Sequence, residues 1–223
     1  MKNTLVIILA FLFLVSCKTE TKKTSKLLCE NQKFLLAPGN ELIMFDFDLN
    51  KNPKEHLQVI KDSLKTEDLC DNFFNFNYKA NNRVVQLSLL PFCAFLGQHF
   101  TQELQINISN QILFSDELTN INQLKEKIKT AFPFYKNKLN IIDITWEYGV
   151  SQPIINDVIF QISEGYLESL TKISTEKFNK AICDLSNIEI KKLKTEYPLT
   201  LDIKNISNLI TAQYKMQKIT NFQ

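Results

Sequence analysis

Between Glu103 and Leu170 the hydrophobic period switches repeatedly between two and three-to-four, and few architectures accommodate that. Leu104-Gln105-Ile106-Asn107-Ile108 alternates strictly, Ser109-Asn110 is a turn candidate, and Ile112-Leu113-Phe114 returns as a second strand. Asp116 then stands where a helix cap is needed. Behind it Leu118, Ile121, Leu124 and Ile128 recur on one helical face, with Lys127 and Lys129 in later turns, where the helix dipole favours cations. Ile141 to Trp146 reads as a third strand. Ser151 caps and Pro153 enters a long helix striped by Ile155, Val158, Ile159, Ile162, Tyr166 and Leu170. The spacing predicts β-β-α-β-α over about residues 103 to 172.

The flanking stretches extend the same logic. Ile43, Phe45, Phe47 and Leu49 alternate with Met44, Asp46 and Asp48, which predicts a strand over Glu41 to Leu49. Asn52 and Pro53 open a helix carrying Leu57, Ile60 and Leu64, and Val84 to Leu90 is a strand stopped by Pro91. Downstream, Ser174 is read as the cap of a further helix with Phe178, Ile182 and Leu185 inward. Strands are expected at Ile188 to Leu193 and at Leu199 to Ile203, and the tail beyond carries no assignment. The chain is therefore expected to be α+β, a small mixed or antiparallel sheet with packed helices, as one compact region or two small subdomains. The division expected is 27–102 for an N-terminal α+β region and 103–223 for a C-terminal one.

The first residues carry a different message. Behind Lys2, the apolar run Leu5 to Val15 is about half of the roughly 20 residues that a membrane-spanning helix needs, so residues 1–16 read as a signal peptide. Leu14-Val15-Ser16-Cys17 resembles the lipobox of bacterial lipoproteins. That resemblance implies cleavage before Cys17, diacylation of its thiol and a membrane-anchored protein of the cell envelope. Residues 18–26, Lys-Thr-Glu-Thr-Lys-Lys-Thr-Ser-Lys, contain nothing apolar and read with Cys17 as a flexible tether. Lys18 differs from the Asp that retains enteric lipoproteins at the inner membrane, which implies the outer membrane. Lys18-Thr19-Glu20 also resembles the export tags of Bacteroidota surface lipoproteins, so both the periplasmic and the outward leaflet stay open.

An exported chain meets conditions in which disulfides persist. Beyond Cys17 the cysteines are Cys29, Cys70, Cys93 and Cys183, which allow three pairings. Cys70 and Cys93 flank a segment of hairpin character, so Cys70–Cys93 with Cys29–Cys183 is the pairing preferred; buried free thiols are the alternative.

Composition narrows the functional classes. The net charge is +2 and Arg83 is the single arginine, so the clustered basic surface that nucleic acid demands is missing from the sequence. No Cys-x-x-Cys, His-Glu-x-x-His, Gly-x-Ser-x-Gly or phosphate-cradling glycine pattern occurs. His56 and His99 are read as packed or solvated. Asp46, Asp48, Asn50 and Asn52 have the alternate-oxygen spacing of a calcium loop, yet Lys51 replaces its glycine and Leu57 its bidentate Glu. The 17 phenylalanines, clustered at Phe73, Phe74 and Phe76 and at Phe92, Phe95 and Phe100, are read as core. No catalytic, cofactor-binding or metal-ligating residue is assigned, and no cofactor is expected.

The stretch from Leu104-Gln105-Ile106-Asn107-Ile108 through Ile141-Ile142-Asp143-Ile144-Thr145-Trp146-Glu147-Tyr148-Gly149 to Leu170 resembles the periplasmic domain of the ExbD/TolR biopolymer-transport proteins. The membrane-spanning helix of that family, with its functional Asp, has no counterpart here, so energy coupling is not carried over. What the resemblance implies is a small envelope domain suited to protein or cell-wall contacts. The reading is a non-enzymatic envelope lipoprotein that binds an envelope protein or cell-wall partner. A toxin-neutralising immunity lipoprotein and an envelope enzyme without a recognisable motif are the alternatives.

Overall fold

A computed structural model describes residues 27–38, 44, 52–64, 73–91, 99–131 and 136–220, with the side chains of 64 and 213–220 left out. Cys17, the tether, Cys70, Cys93, Phe92, Phe95, Asp46, Asp48 and Asn50 lie outside these residues. So does the strand expected over Glu41 to Leu49, except for Met44, which bridges in parallel to Asn77.

In chain order the elements are α1 (Glu30–Leu36), α2 (Pro53–Leu64), β1 (Phe74–Ala80), β2 (Arg83–Leu89), β3 (His99–Ile106), β4 (Ile112–Phe114), β5 (Glu117–Thr119) and α3 (Ile121–Ala131). They continue with β6 (Leu139–Trp146), α4 (Gln152–Phe178), a 3-10 turn (Ile182–Asp184), α5 (Asn187–Glu196), β7 (Leu199–Ile203) and α6 (Lys204–Thr220). The strands form one mixed sheet in the order β1-β2-β7-β6-β3-β4-β5. Its four middle strands run parallel and the outer hairpins antiparallel, so the α+β architecture with a mixed sheet is what the chain adopts. β2 and β7 pair across the two expected regions, which share this sheet.

Parallel neighbours need crossovers, and the helices supply them. α3 leads from the β4–β5 hairpin to β6, and α4 with α5 leads from β6 to β7. β6 is buried from Asn140 to Ile144, which explains its nearly unbroken apolar sequence: a central parallel strand is covered on both faces. One face carries Leu104, Ile106, Ile142, Ile144, Leu201 and Ile203, packed with Leu124 and Ile128 of α3 and Ile155, Val158, Ile159 and Ile162 of α4. On the other face α6 packs over β2, β7 and β6, and α2 packs against α6.

α4 is long because nothing in it breaks the helix before Asn179, which takes the left-handed conformation (φ 53°) that ends it. Past the sheet, its later turns join a second cluster. There Tyr166, Leu167, Leu170 and Ile173 meet Leu35 and Leu36 of α1 and Ile190 and Leu193 of α5. Gly165 sits where α3 crosses α4: a β-carbon there would lie 2.6 Å from the Lys125 carbonyl oxygen and 2.8 Å from Ile128 Cβ.

Three sequence expectations are corrected. Asp116 caps no helix; Ser115 and Asp116 both take positive φ (49° and 65°), the signature of a tight hairpin turn, and create the extra strand β5. Asn120 is the cap instead, its Oδ1 accepting from the amides of Asn122 and Gln123. Ser174 starts no new helix but lies buried within α4, donating its hydroxyl to the Lys180 carbonyl. Ile188 to Leu193 is helical, because Ser186 and Glu189 form a capping box that commits the chain to α5. The unassigned tail is α6.

Candidate functional site

β3 has a solvated edge to its pattern: His99, Thr101, Glu103 and Gln105 are exposed while Leu104 and Ile106 are buried. Gln105 lies beside Thr145 on β6 and Leu113 on β4, and Leu113 beside Leu118 on β5. Side chains in one register row point to one side of a sheet. Thr145, Gln105, Leu113 and Leu118 thus form a band on the side opposite α3 and α4, running from β6, which α6 packs over, out to β5. This band lines a groove of about 460 Å³ that Glu147, Asn107 and Gln111 border at the strand ends; Trp146, in the register row of Ile106, packs its side chain against the core on the other face.

The groove's rim is held by polar bonds. Asn107 and Gln111 pair side chain to side chain at 2.8 Å, and the Gln111 amide donates to Asn107 Oδ1 at 2.9 Å. Glu147 Oε2 accepts from the Ile108 amide at 2.8 Å, which ties the turn after β3 to the turn after β6. Asn205, in the first turn of α6, clamps the Trp146 backbone from both sides: its Oδ1 accepts from the amide and its Nδ2 donates to the carbonyl. Gly149, at φ +97°, turns the chain back so closely that its missing β-carbon would lie 3.1 Å from Ile108 Cδ1. Around this frame Ile108, Leu118 and Tyr148 are 61%, 68% and 85% exposed.

Toward the strand starts, the same side of the sheet carries a polar row: Asn75, Ser88, Asp202, Asp143 and Glu103 are successive cross-strand neighbours. It runs from beneath α6 into the open. Asp202 is fully buried; its Oδ1 accepts from the Leu90 amide and the Ser207 hydroxyl. The Lys204 ammonium lies 2.9 Å from Asp143 and 3.6 Å from Asp202. Burial pushes the Asp202 carboxyl up to about 6, against the pull of its two hydrogen bonds. This cluster is an interior acid–lysine knot at the start of α6, and its carboxylates line neither the groove nor the cleft described next.

A second cleft, of about 690 Å³, lies where α1 and the 3-10 turn meet α3 and α4. Its charged walls are mutually satisfied. Arg83 pairs with Glu164 at 2.5 Å, donates to Ser163 and lies 4.5 Å over the Phe160 ring, and Lys125 pairs with Glu168 at 2.8 Å.

The sequence-derived positions separate clearly. Cys29 and Cys183 are joined as a disulfide, with Cα atoms 5.8 Å apart. His56 is buried in α2 and His99 is exposed at the start of β3. Asn52 caps α2, its Oδ1 accepting from the Lys54 amide. Phe76 is core, whereas Phe73 is 46% exposed. The groove residues Thr145, Gln105, Leu113 and Leu118 were not singled out from the sequence as a site. No family model matches the chain, and no curated protein or solved structure is found that resembles it.

Proposed function

We propose that the chain is an envelope lipoprotein, anchored through Cys17 at the outer membrane, whose folded part is a non-enzymatic binding module that meets its partner at the groove along Thr145, Gln105, Leu113 and Leu118. The observation that carries this reading is the open row Thr145, Gln105, Leu113 and Leu118, with Leu118 exposed in the groove lining and Ile108 and Tyr148 exposed in the two hydrogen-bonded turns next to it. Exposed apolar side chains gathered in one place mark contact surfaces, whereas scattered ones do not. Aromatic and aliphatic anchors within a polar rim are also the usual anatomy of a recognition patch. The carboxyl with the strongly raised affinity for protons, Asp202, is interior and engaged with Leu90, Ser207 and Lys204, which argues for a structural role over general acid catalysis.

A photo-crosslinking residue at Tyr148, in the acylated protein in its native envelope, tests the proposal. The expected result is one reproducible adduct that disappears in Leu118→Ser and persists in Ile188→Ser, which changes an exposed apolar residue on α5. Turnover of an envelope substrate by the purified protein, abolished in Asp202→Asn with the fold intact, would overturn it. Anchoring is tested separately by mass spectrometry of the mature N-terminus. A free Cys17 thiol would refute the anchor and leave the groove untouched.

A further inference from the structure

We infer that the Cys29–Cys183 disulfide is a redox switch: a dithiol reductant opens the bond in the folded protein and releases α1 from the helical core. Cys183 is exposed and lines the cleft of about 690 Å³ where α1 and the 3-10 turn meet α3 and α4, and Cys29 is half-buried, so a thiolate reaches the bond from water. Exposed disulfides exchange with thiols, whereas enclosed ones resist them. The bond joins α1 to the 3-10 turn, and no residue of either element belongs to the core packed on the sheet. α1 is seven residues long, well short of the roughly 12–15 at which a helix begins to stand alone in water. Without the bond it is held by burial of Leu35 and Leu36, by Asn31 donating to the Ile182 and Leu185 carbonyls, and by Lys194 donating to the Leu35 carbonyl. Its release opens to water the small space that Leu35 and Leu36 share with Tyr166, Lys194 and Leu201. α1 contributes no residue to the groove, so the switch stands apart from the binding proposal. On the anchored reading α1 is the first described helix after the tether, and releasing it lengthens the reach of the fold from the membrane.

The exchange balances. One thiolate of the reductant attacks the Cys183 sulfur and forms a mixed disulfide, while Cys29 leaves as a thiolate and takes a proton from water. The second thiol of the reductant, as its thiolate, then displaces Cys183, so the reductant ends as a disulfide and the protein as two thiols. The test treats the full acylated protein with dithiothreitol in the absence of denaturant, alkylates it with N-ethylmaleimide, and maps the labelled peptides and the amide exchange by mass spectrometry. The expected result is alkylation of both Cys29 and Cys183, with exchange in α1 faster by about tenfold or more and exchange in β6 and β7 unchanged. Glutathione in place of the dithiol should leave its adduct on Cys183 and the maleimide on Cys29. Reoxidation should restore the protection of α1. A bond that opens only in urea, an α1 that stays protected once both thiols are alkylated, or a loss of protection across the sheet overturns the switch and leaves a structural crosslink. Cys29→Ser with Cys183→Ser should match the reduced protein; the reduction itself needs no variant to fold.

Discussion

The two ends of α4 are packed by different means. Its first half, through Ile155, Val158, Ile159 and Ile162, lies on a sheet that supplies apolar surface from several strands. Its second half runs past the sheet edge, where Leu199 of β7 still reaches it, and gathers α1, the 3-10 turn and α5 into a smaller helical core. A small core leaves a larger share of its surface in water and needs added constraints. Here these are covalent and polar: the Cys29–Cys183 disulfide, Asn31 donating to the Ile182 and Leu185 carbonyls, and the Lys194 ammonium donating to the Leu35 carbonyl. Area holds one end of the helix and staples hold the other.

The largest expected effect breaks the staple. Cys29 and Cys183 are 154 residues apart, so in the chain-entropy account the bond contributes about 3–5 kcal/mol. In Cys29→Ser with Cys183→Ser, hydrogen exchange should lose protection first in α1, the 3-10 turn and α5, while β6 and β7 keep theirs. Uniform loss across the sheet would mean that the two cores unfold together and that the contrast is one of composition only.

Gly165 marks the border between the two halves. In Gly165→Ala the new methyl meets the Lys125 carbonyl and Ile128 Cβ, both closer than van der Waals contact allows, so α3 must move off α4. Overpacking of this kind costs about 1–3 kcal/mol, read as a lowered midpoint in urea. An unchanged midpoint would show that the helices separate freely and that Gly165 is incidental.

Among the ionisable groups the two cores enclose, Asp202 and Lys194 respond to pH in opposite senses. Asp202, in the sheet core, holds its proton up to about 6, above the unfolded value near 3.9. Between those values the folded state carries the extra proton, so stability falls as pH rises from 4 to 6, by about 2 kcal/mol if this group acts alone. Lys194, beside the Tyr166 ring in the helical core, is pushed down to about 8 by burial of its ammonium. There the unfolded state carries the extra proton, so stability rises with pH from 8 toward the unfolded value near 10.4. Urea midpoints across pH should show the acid limb vanish in Asp202→Asn and the alkaline limb in Lys194→Met. An acid limb that survives Asp202→Asn would place the titration elsewhere.

Legibility followed local chemistry. β6, β7 and the start of α4 were readable because apolar runs and caps are short-range signals, and the Cys29–Cys183 pairing followed from a hairpin argument about the other two cysteines. α5 carried an equally local signal, Ser186-x-x-Glu189, but the apolar Ile188 and Ile190 pointed to a strand; the cap won because it satisfies backbone groups that a strand would have to pair elsewhere. The β4–β5 turn was misread because Ser115 and Asp116 are unusual at positive φ, and only pairing between Leu113 and Leu118 requires it. The groove was the least readable feature. Its band joins four strands through register, and register depends on the order β6-β3-β4-β5, which no single stretch encodes.

The smallest expected effect tests whether that band is open. Gln105 and Ile106 are adjacent on β3 and face opposite sides of one sheet, Ile106 1% exposed in the core and Gln105 toward the groove. Ile106→Ala removes buried methyl groups and should cost about 2–5 kcal/mol. Gln105→Ala and Leu118→Ser remove groups that meet water in the folded state, and changes of that kind stay within about 0.5 kcal/mol. Leu118 decides the matter, because a large aliphatic side chain is kept on a sheet face for packing or for a partner. If Leu118→Ser lowers the urea midpoint as a core substitution does, the face is covered within the folded chain and the groove is no binding surface. If it leaves the midpoint unchanged, packing within the protein does not account for Leu118, and the partner does.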